Sequence, residues 1–269
     1  MAHPAEADRR AVDEGLGGRS ASLLTVARYV WVMRVTQLWR FPVKSLQGER
    51  VDSVRITPEG LDGDRRFAIF DVTTGFGLTA RRVPELLFAA ARARADGGVE
   101  ITLPDGTIAA DDATLSAWLG RPVVLRSTPE EVARRYENPA DFEHEDTGRW
   151  EPFDGSRGAF HDSQGAAVSL ASDATIGDWA PRRFRTNVLF GGANEEGLLG
   201  AQIAVGDALL DVGMRIERCV MVTRPQPGDV ERDLDVLRAI HRERQGCLAV
   251  GATVARAGAV SVGDTLDVA

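Results

Sequence analysis

Apolar and polar positions alternate with a period of two along several short stretches, as half-buried strands require. Residues 35–41 read as a first strand, its alternation broken by Trp39 and Phe41. Residues 51–57 set Val51, Ser53 and Arg55 against Asp52, Val54 and Ile56. Phe67-Ala68-Ile69-Phe70 is a continuous apolar run, and Thr73-Thr74-Gly75 turns it toward residues 77–81, which predicts a hairpin. Residues 99–103 and 107–109 flank Pro104-Asp105-Gly106, where proline presets the turn and glycine accepts a positive φ. Further strands are expected at 123–126, 185–190 and from 247 onward, and residues 204–212 read as a Gly-Asp turn leading into a strand. The Val-Met-Val run after Cys219 also reads as strand.

The helical pattern is rarer. Asp111 or Asp112 caps a short helix that Gly120 stops. Thr128-Pro129-Glu130-Glu131 has the cap, proline and acidic first turn of another. Ser172 or Asp173 opens a third, to about Trp179. Residues 233–244 put Leu234, Leu237 and Ile240 on one side, and Gly246 ends that helix. Many short strands with few helices predict a mainly β (α+β) fold built from barrels or sandwiches, with a seam near residues 110–130. Residues 138–165 break every period: they are acidic and aromatic, carry Phe142, Trp150, Phe153 and Phe160, and read as a functional loop.

Composition narrows the partners. A formal charge of −8 argues against a nucleic-acid partner, which would need a basic surplus. No run reaches the ~18 apolar residues of a membrane span. Two cysteines, Cys219 and Cys247, build no disulfide framework and suit a reducing, cytoplasmic setting. Residues 1–32 are polar at first and then briefly apolar, without the pattern of a secretory signal, and read as a disordered, dispensable extension.

Candidate chemistry gathers at strand ends. Cys219 directly follows Arg218. From the residues alone it is either a small buried apolar side chain, the more common fate of a free cysteine, or a thiolate beside arginines. Lys44-Ser45, Arg65-Arg66, Arg81-Arg82 and Arg183/Arg185 with Asn187 are solvated strand ends taken singly, and a phosphate clamp taken together. Zinc is disfavoured, since the cysteines are far apart and His144 and His161 lack ligand spacing. His241, on an amphipathic helix, reads as a surface residue rather than a hydrolase base.

Trp39-Arg40-Phe41-Pro42-Val43-Lys44-Ser45-Leu46, Gly63-Asp64-Arg65-Arg66-Phe67 and Thr79-Ala80-Arg81 resemble the N-terminal β-barrel domain that precedes a MOSC domain. Phe184-Arg185-Thr186-Asn187 and Arg218-Cys219 resemble the MOSC core, the C-terminal domain of molybdenum cofactor sulfurases that also occurs in amidoxime-reducing enzymes. The resemblance implies an N-terminal β-barrel domain over residues 33–120 packed on a MOSC β-barrel domain over 121–269, with a few peripheral helices. It implies a molybdenum cofactor (molybdopterin–Mo) with Cys219 as metal ligand and catalytic residue. Lys44, Ser45, Arg65 or Arg66, Ser172, Arg185 and Asn187 would bind the cofactor. A small N-oxygenated substrate would be reduced with electrons from a separate ferredoxin- or flavin-reductase-type protein. No pyridoxal-phosphate site is implied. The chain departs from the reductase pattern in Thr186, where proline is expected, and in Thr223-Arg224-Pro225-Gln226-Pro227-Gly228-Asp229 after the cysteine. Two other roles stand beside this one: a sulfur carrier with a Cys219 persulfide, and a non-catalytic molybdopterin-binding module.

Overall fold

The computed structural model describes residues 32–128, 134–141, 148–192 and 194–269. The expected extension at 1–32, apart from Val32, and the helix expected from Pro129 lie outside the described residues, as do Phe142 and His144.

The first half runs β1 (Met33–Arg40), β2 (Glu49–Val51), β3 (Ser53–Thr57), β4 (Gly60–Leu61), β5 (Phe67–Asp71), β6 (Ala90–Ala93), β7 (Val99–Thr102), α1 (Asp112–Leu119), β8 (Val123–Ser127), β9 (Arg135–Pro139) and β10 (Trp150–Asp154). The second runs β11 (Val168–Ser172), α2 (Asp173–Ile176), β12 (Val188–Gly191), β13 (Gln202–Val205), β14 (Ala208–Glu217), α3 (Leu234–Arg244), β15 (Cys247–Arg256), β16 (Gly258–Ser261) and β17 (Thr265–Val268). The fold is mainly β.

A closed barrel of seven strands, β12-β11-β15-β14-β13-β17-β1, is completed by the β1–β12 pairing. Only β11 and β12 run parallel within it. The first strand of the chain therefore closes a barrel made otherwise by the last hundred residues. A register shift between Val35 and Gln37 explains how: the bulge turns Val35 and Leu38, three positions apart, into the same buried interior. Phe190, Leu170, Ile203, Leu210 and Val250 meet them there. A second core under the first half gathers Val43, Leu46, Ile69, Leu78, Leu86, Ile101 and Leu115. A third joins Phe184 and Val222 to Ile240 of α3.

Local signals held where the backbone chemistry is self-contained. Asp111 caps α1 by accepting the Thr114 N–H, and Gly120 closes it in the left-handed conformation. Asp233 caps α3 likewise. Expectations change elsewhere, first in the helix from Ser172, which ends at Ile176 rather than near Trp179. β5 pairs along its length with β8, and keeps only a single bridge, Phe70 to Gly77, toward the predicted hairpin partner. Residues 185–190 form strand only from Val188, because Arg185 sits at φ 51°. Part of the expected irregular loop pairs as the β9–β10 hairpin.

Candidate functional site

The β1–β12 pairing is what builds the site. Leu38 faces Val188, and the Trp39 N–H donates to Asn187 O at 2.8 Å. The residues that follow β1 are thereby laid beside those that precede β12. Asn187 locks the junction: its Oδ1 accepts from the Ser169 N–H and hydroxyl at 3.1 and 2.8 Å, and its Nδ2 donates to Trp39 O at 3.2 Å. Asn187 thus spends most of its amide on holding three strands.

Asp64 and Arg65 grip the same turn from the other side. The Phe41 N–H donates to buried Asp64, and the Arg65 N–H donates to Phe41 O at 2.9 Å. The guanidinium carbons of Arg65 and Arg185 stand 4.6 and 4.5 Å from the centre of the buried Phe41 ring. Aromatic faces attract cations, so one phenyl ring gathers two arginines from distant parts of the chain.

Between these groups opens a cleft of about 500 Å³. Lys44, Ser45, Arg65, Arg185, Asn187 and Cys219 all line it. Ser45, Arg65 and Arg185 hold φ of 70°, 51° and 51°. Left-handed backbone is unfavourable for side-chain-bearing residues, and such strain collects at functional sites. Ser45 Oγ accepts the Ala80 N–H at 3.0 Å, which leaves its own proton to donate. Arg185 donates through Nη1 to Leu46 O, while its buried Nη2 has no acceptor.

Cys219 is not on a strand, contrary to expectation. The β14–β15 ladder ends at Glu217 opposite Cys247, and Cys219 starts a 3-10 turn over Val220–Thr223. The half-buried thiol is free. Arg218 fixes its position: Nε donates to Leu248 O at 2.7 Å and Nη1 to Phe184 O at 2.8 Å. Burial pushes the Arg218 guanidinium down to about 10, against the pull of Cys219 and Asp162. It remains cationic at neutral pH. Cys247 is buried, and desolvation, helped by Glu217, pushes its thiol up.

Asp162 is the acid of this basic cleft, and the residue patterns gave no reason to choose it. It pairs with Lys44, which is itself buried and donates also to Phe160 O at 3.2 Å. The Asp162 side chain is 89% exposed. The surrounding protein pushes its carboxyl up, but Lys44, Arg65 and Arg185 outweigh that and hold it well below the usual carboxylate range. His161 also lines the cleft, with Nε2 hydrogen-bonded to Glu59 O at 2.9 Å. Burial pushes its imidazole below the usual value, so it is neutral at pH 7. Both come from the acidic-aromatic stretch read as functional, the one available signal. Among the described residues no group of three or more His, Cys, Asp or Glu side chains is arranged to hold a metal.

Other candidates fall elsewhere or are already engaged. Arg66 lines a separate pocket with Asp62 and Asp64 and is not among the residues of the cleft. Ser172 is fully buried as the cap of α2, accepting the Thr175 N–H at 3.1 Å, and does not reach the cleft. Arg82 lies on the Trp150 ring at 4.4 Å, and Arg81 contacts Asn138. Arg183 borders the cleft, but its guanidinium is spent on the carbonyls of Val222, Arg224 and Glu231. His241 is exposed on α3, outside the cleft.

The chain matches the model of the MOSC N-terminal beta barrel domain over residues 32–129 and that of the MOSC domain over residues 159–267. No curated protein matches it. Among solved structures it is similar to the YUAD protein (APC1665) from Bacillus subtilis, at 14% identity over 88% of this chain and 97% of that one, with a TM-score of 0.43. A hypothetical protein is similar at 12% identity over 88% of this chain and 68% of that one, TM-score 0.42. YiiM from Geobacillus stearothermophilus is similar at 15% identity over 51% and 73%, TM-score 0.33.

Proposed function

Since the chain belongs to the MOSC family, with a MOSC N-terminal β-barrel domain ahead of the MOSC domain, we propose that its cleft binds a molybdenum cofactor and that it is an oxidoreductase acting on small N-oxygenated molecules. One observation carries the reading. Lys44, Ser45 and Arg65 from the first half meet Arg185 and Cys219 from the second around a single cleft.

The donor set fits the group. Guanidinium forks suit phosphate oxygens, and the buried Arg185 Nη2 lacks an acceptor. A thiolate suits a soft metal. Cys219 would hold the metal. Lys44, Ser45, Arg65 and Arg185 would hold the anionic part, while Asn187 and Arg218 keep Arg185 and Cys219 in place. When bound, the cofactor would supply the two-electron chemistry that removes oxygen from an N–O bond. His161, neutral and with Nε2–H on Glu59 O, keeps Nδ1 to take up and return a proton. Electrons would come from a separate ferredoxin- or flavin-reductase-type protein.

The test is molybdenum and pterin content after purification from a host that makes the cofactor. We expect near-stoichiometric molybdenum in the wild type and its loss in Cys219→Ala, with the pterin signal weakened in Arg185→Ala. Wild-type protein without molybdenum, or a Cys219→Ala variant that retains it with an unchanged spectrum, sinks the assignment. A Cys219 mass raised by one sulfur atom without metal would favour a sulfur carrier instead.

A further inference from the structure

Arg185 lines a second pocket as well. That pocket, also about 500 Å³, shares Arg185 and no other residue with the Cys219 cleft. Trp39, Arg50, Arg92, Arg182 and Gln226 form its walls. Apart from Arg185, none of its residues is used by the function above.

Its charge is one-sided. Four guanidiniums face a single carboxylate, Glu49, which is already engaged. Glu49 pairs with Arg40 at 2.9 Å and accepts the Ala93 N–H at 2.9 Å. Arg50 and Arg92 have no carboxylate partner among the described residues. The topology puts them together. The Ala91 N–H donates to Gln47 O and the Gln47 N–H to Ala89 O, both at 2.9 Å, so β2 and β6 run side by side and each presents its arginine.

Two buried donors in the walls lack an acceptor. Gln226 is 5% exposed and its Nε2 has no partner. Arg185 Nη2 is the other. Buried donors are ordinarily satisfied, and exceptions call for a ligand or another acceptor. Cations arranged around unpaired buried donors call for an anion with several acceptor oxygens. Planar guanidiniums match phosphate oxygens two at a time, and the space exceeds what a lone phosphate fills.

We infer that this pocket is a second anion site, distinct from the Cys219 cleft, for a diphosphate or a small phosphate ester. It couples to the cleft through Arg185, whose guanidinium borders both. Gln226 belongs to the segment after Cys219 that departs from the reductase pattern, so the departure has a physical use here.

The test is calorimetric titration of pyrophosphate, with inorganic phosphate as a second probe, into the full chain. Arg50→Ser combined with Arg92→Ser removes two exposed charges and leaves the core intact. Lys44→Met reports on the cleft. We expect saturable pyrophosphate binding, tighter than phosphate. The double variant should lose about tenfold or more, as loss of charged hydrogen bonds implies, and Lys44→Met less than about twofold. Gln226→Met should weaken binding in the same direction. Absence of saturable binding to the wild type overturns the inference. So does unchanged affinity in the double variant, or a loss confined to Lys44→Met, which would place the anion in the cleft. Molybdenum content is not read in this experiment, so its failure and that of the cofactor reading are separable.

Discussion

His161 shows how one side chain sets a pH limit. Burial in the cleft wall lowers its imidazole below the ordinary 6.5. Folded, it binds fewer protons than unfolded, so stability rises with pH through this window and is lost as pH falls below about 6.5. His161→Asn removes the titration. The urea midpoint of the wild type should therefore fall more steeply between about pH 7.5 and pH 5.5 than that of the variant. Parallel profiles would show that the ring is not desolvated. Cys219 teaches a different lesson at this scale. The cysteine, its arginine neighbour and the paired arginines were all visible as residues. Asp162 was not, because an aspartate in an acidic loop carries no mark until Lys44 is brought to it from 118 positions away.

At the scale of elements, the segment after Cys219 depends on Arg183. Three carbonyls, of Val222, Arg224 and Glu231, accept from one buried guanidinium. That staple joins the 3-10 turn at Val220–Thr223 to the loop ahead of α3. Arg183→Met keeps the apolar stem and removes every donor. It should destabilise the chain by about 2–4 kcal/mol, since charged hydrogen bonds contribute about 1.5–3 kcal/mol each and the buried Val222 carbonyl would be left bare. Protease cleavage between residues 220 and 231 should rise with it. Unchanged denaturation and cleavage would refute the staple. Helix ends were legible without tertiary information, because Asp111, Gly120 and Asp233 satisfy their own helices. Strand partners were not, as β5 shows by pairing along its length with β8 and only briefly with the adjacent 77–81 segment.

The barrel is the unit at the largest scale. β1 lies between β17 and β12, and its register fixes which cleft residues meet. Leu38 is fully buried opposite Val188. Leu38→Ala should cost about 2–5 kcal/mol, as large-to-small core changes do. Because the same strand carries Phe41 and Lys44 to Arg185, the variant should also loosen anion binding in the cleft. Affinity unaffected while the denaturation midpoint drops would separate barrel closure from site assembly. No described helix is long and apolar enough to cross a membrane.

The sequence by itself determined what depends on neighbours along the chain: the mainly β class, the capped helices, the Pro-Asp-Gly turn, and the basic and thiol residues of the family pattern. Those signals are local because periodicity, caps and turns are properties of a few consecutive residues. Only the tertiary structure decided that Arg65 rather than Arg66 enters the cleft, that Ser172 is consumed by a helix cap, and that Asn187 serves mainly as a strand clamp. Each of those outcomes turns on a single backbone torsion or a partner far along the chain. Arg65 sits at φ 51° and the two adjacent arginines line different pockets, and no composition or spacing records a torsion. The basic and thiol residues that line the cleft were legible singly, and their geometry became so when β1 closed the barrel.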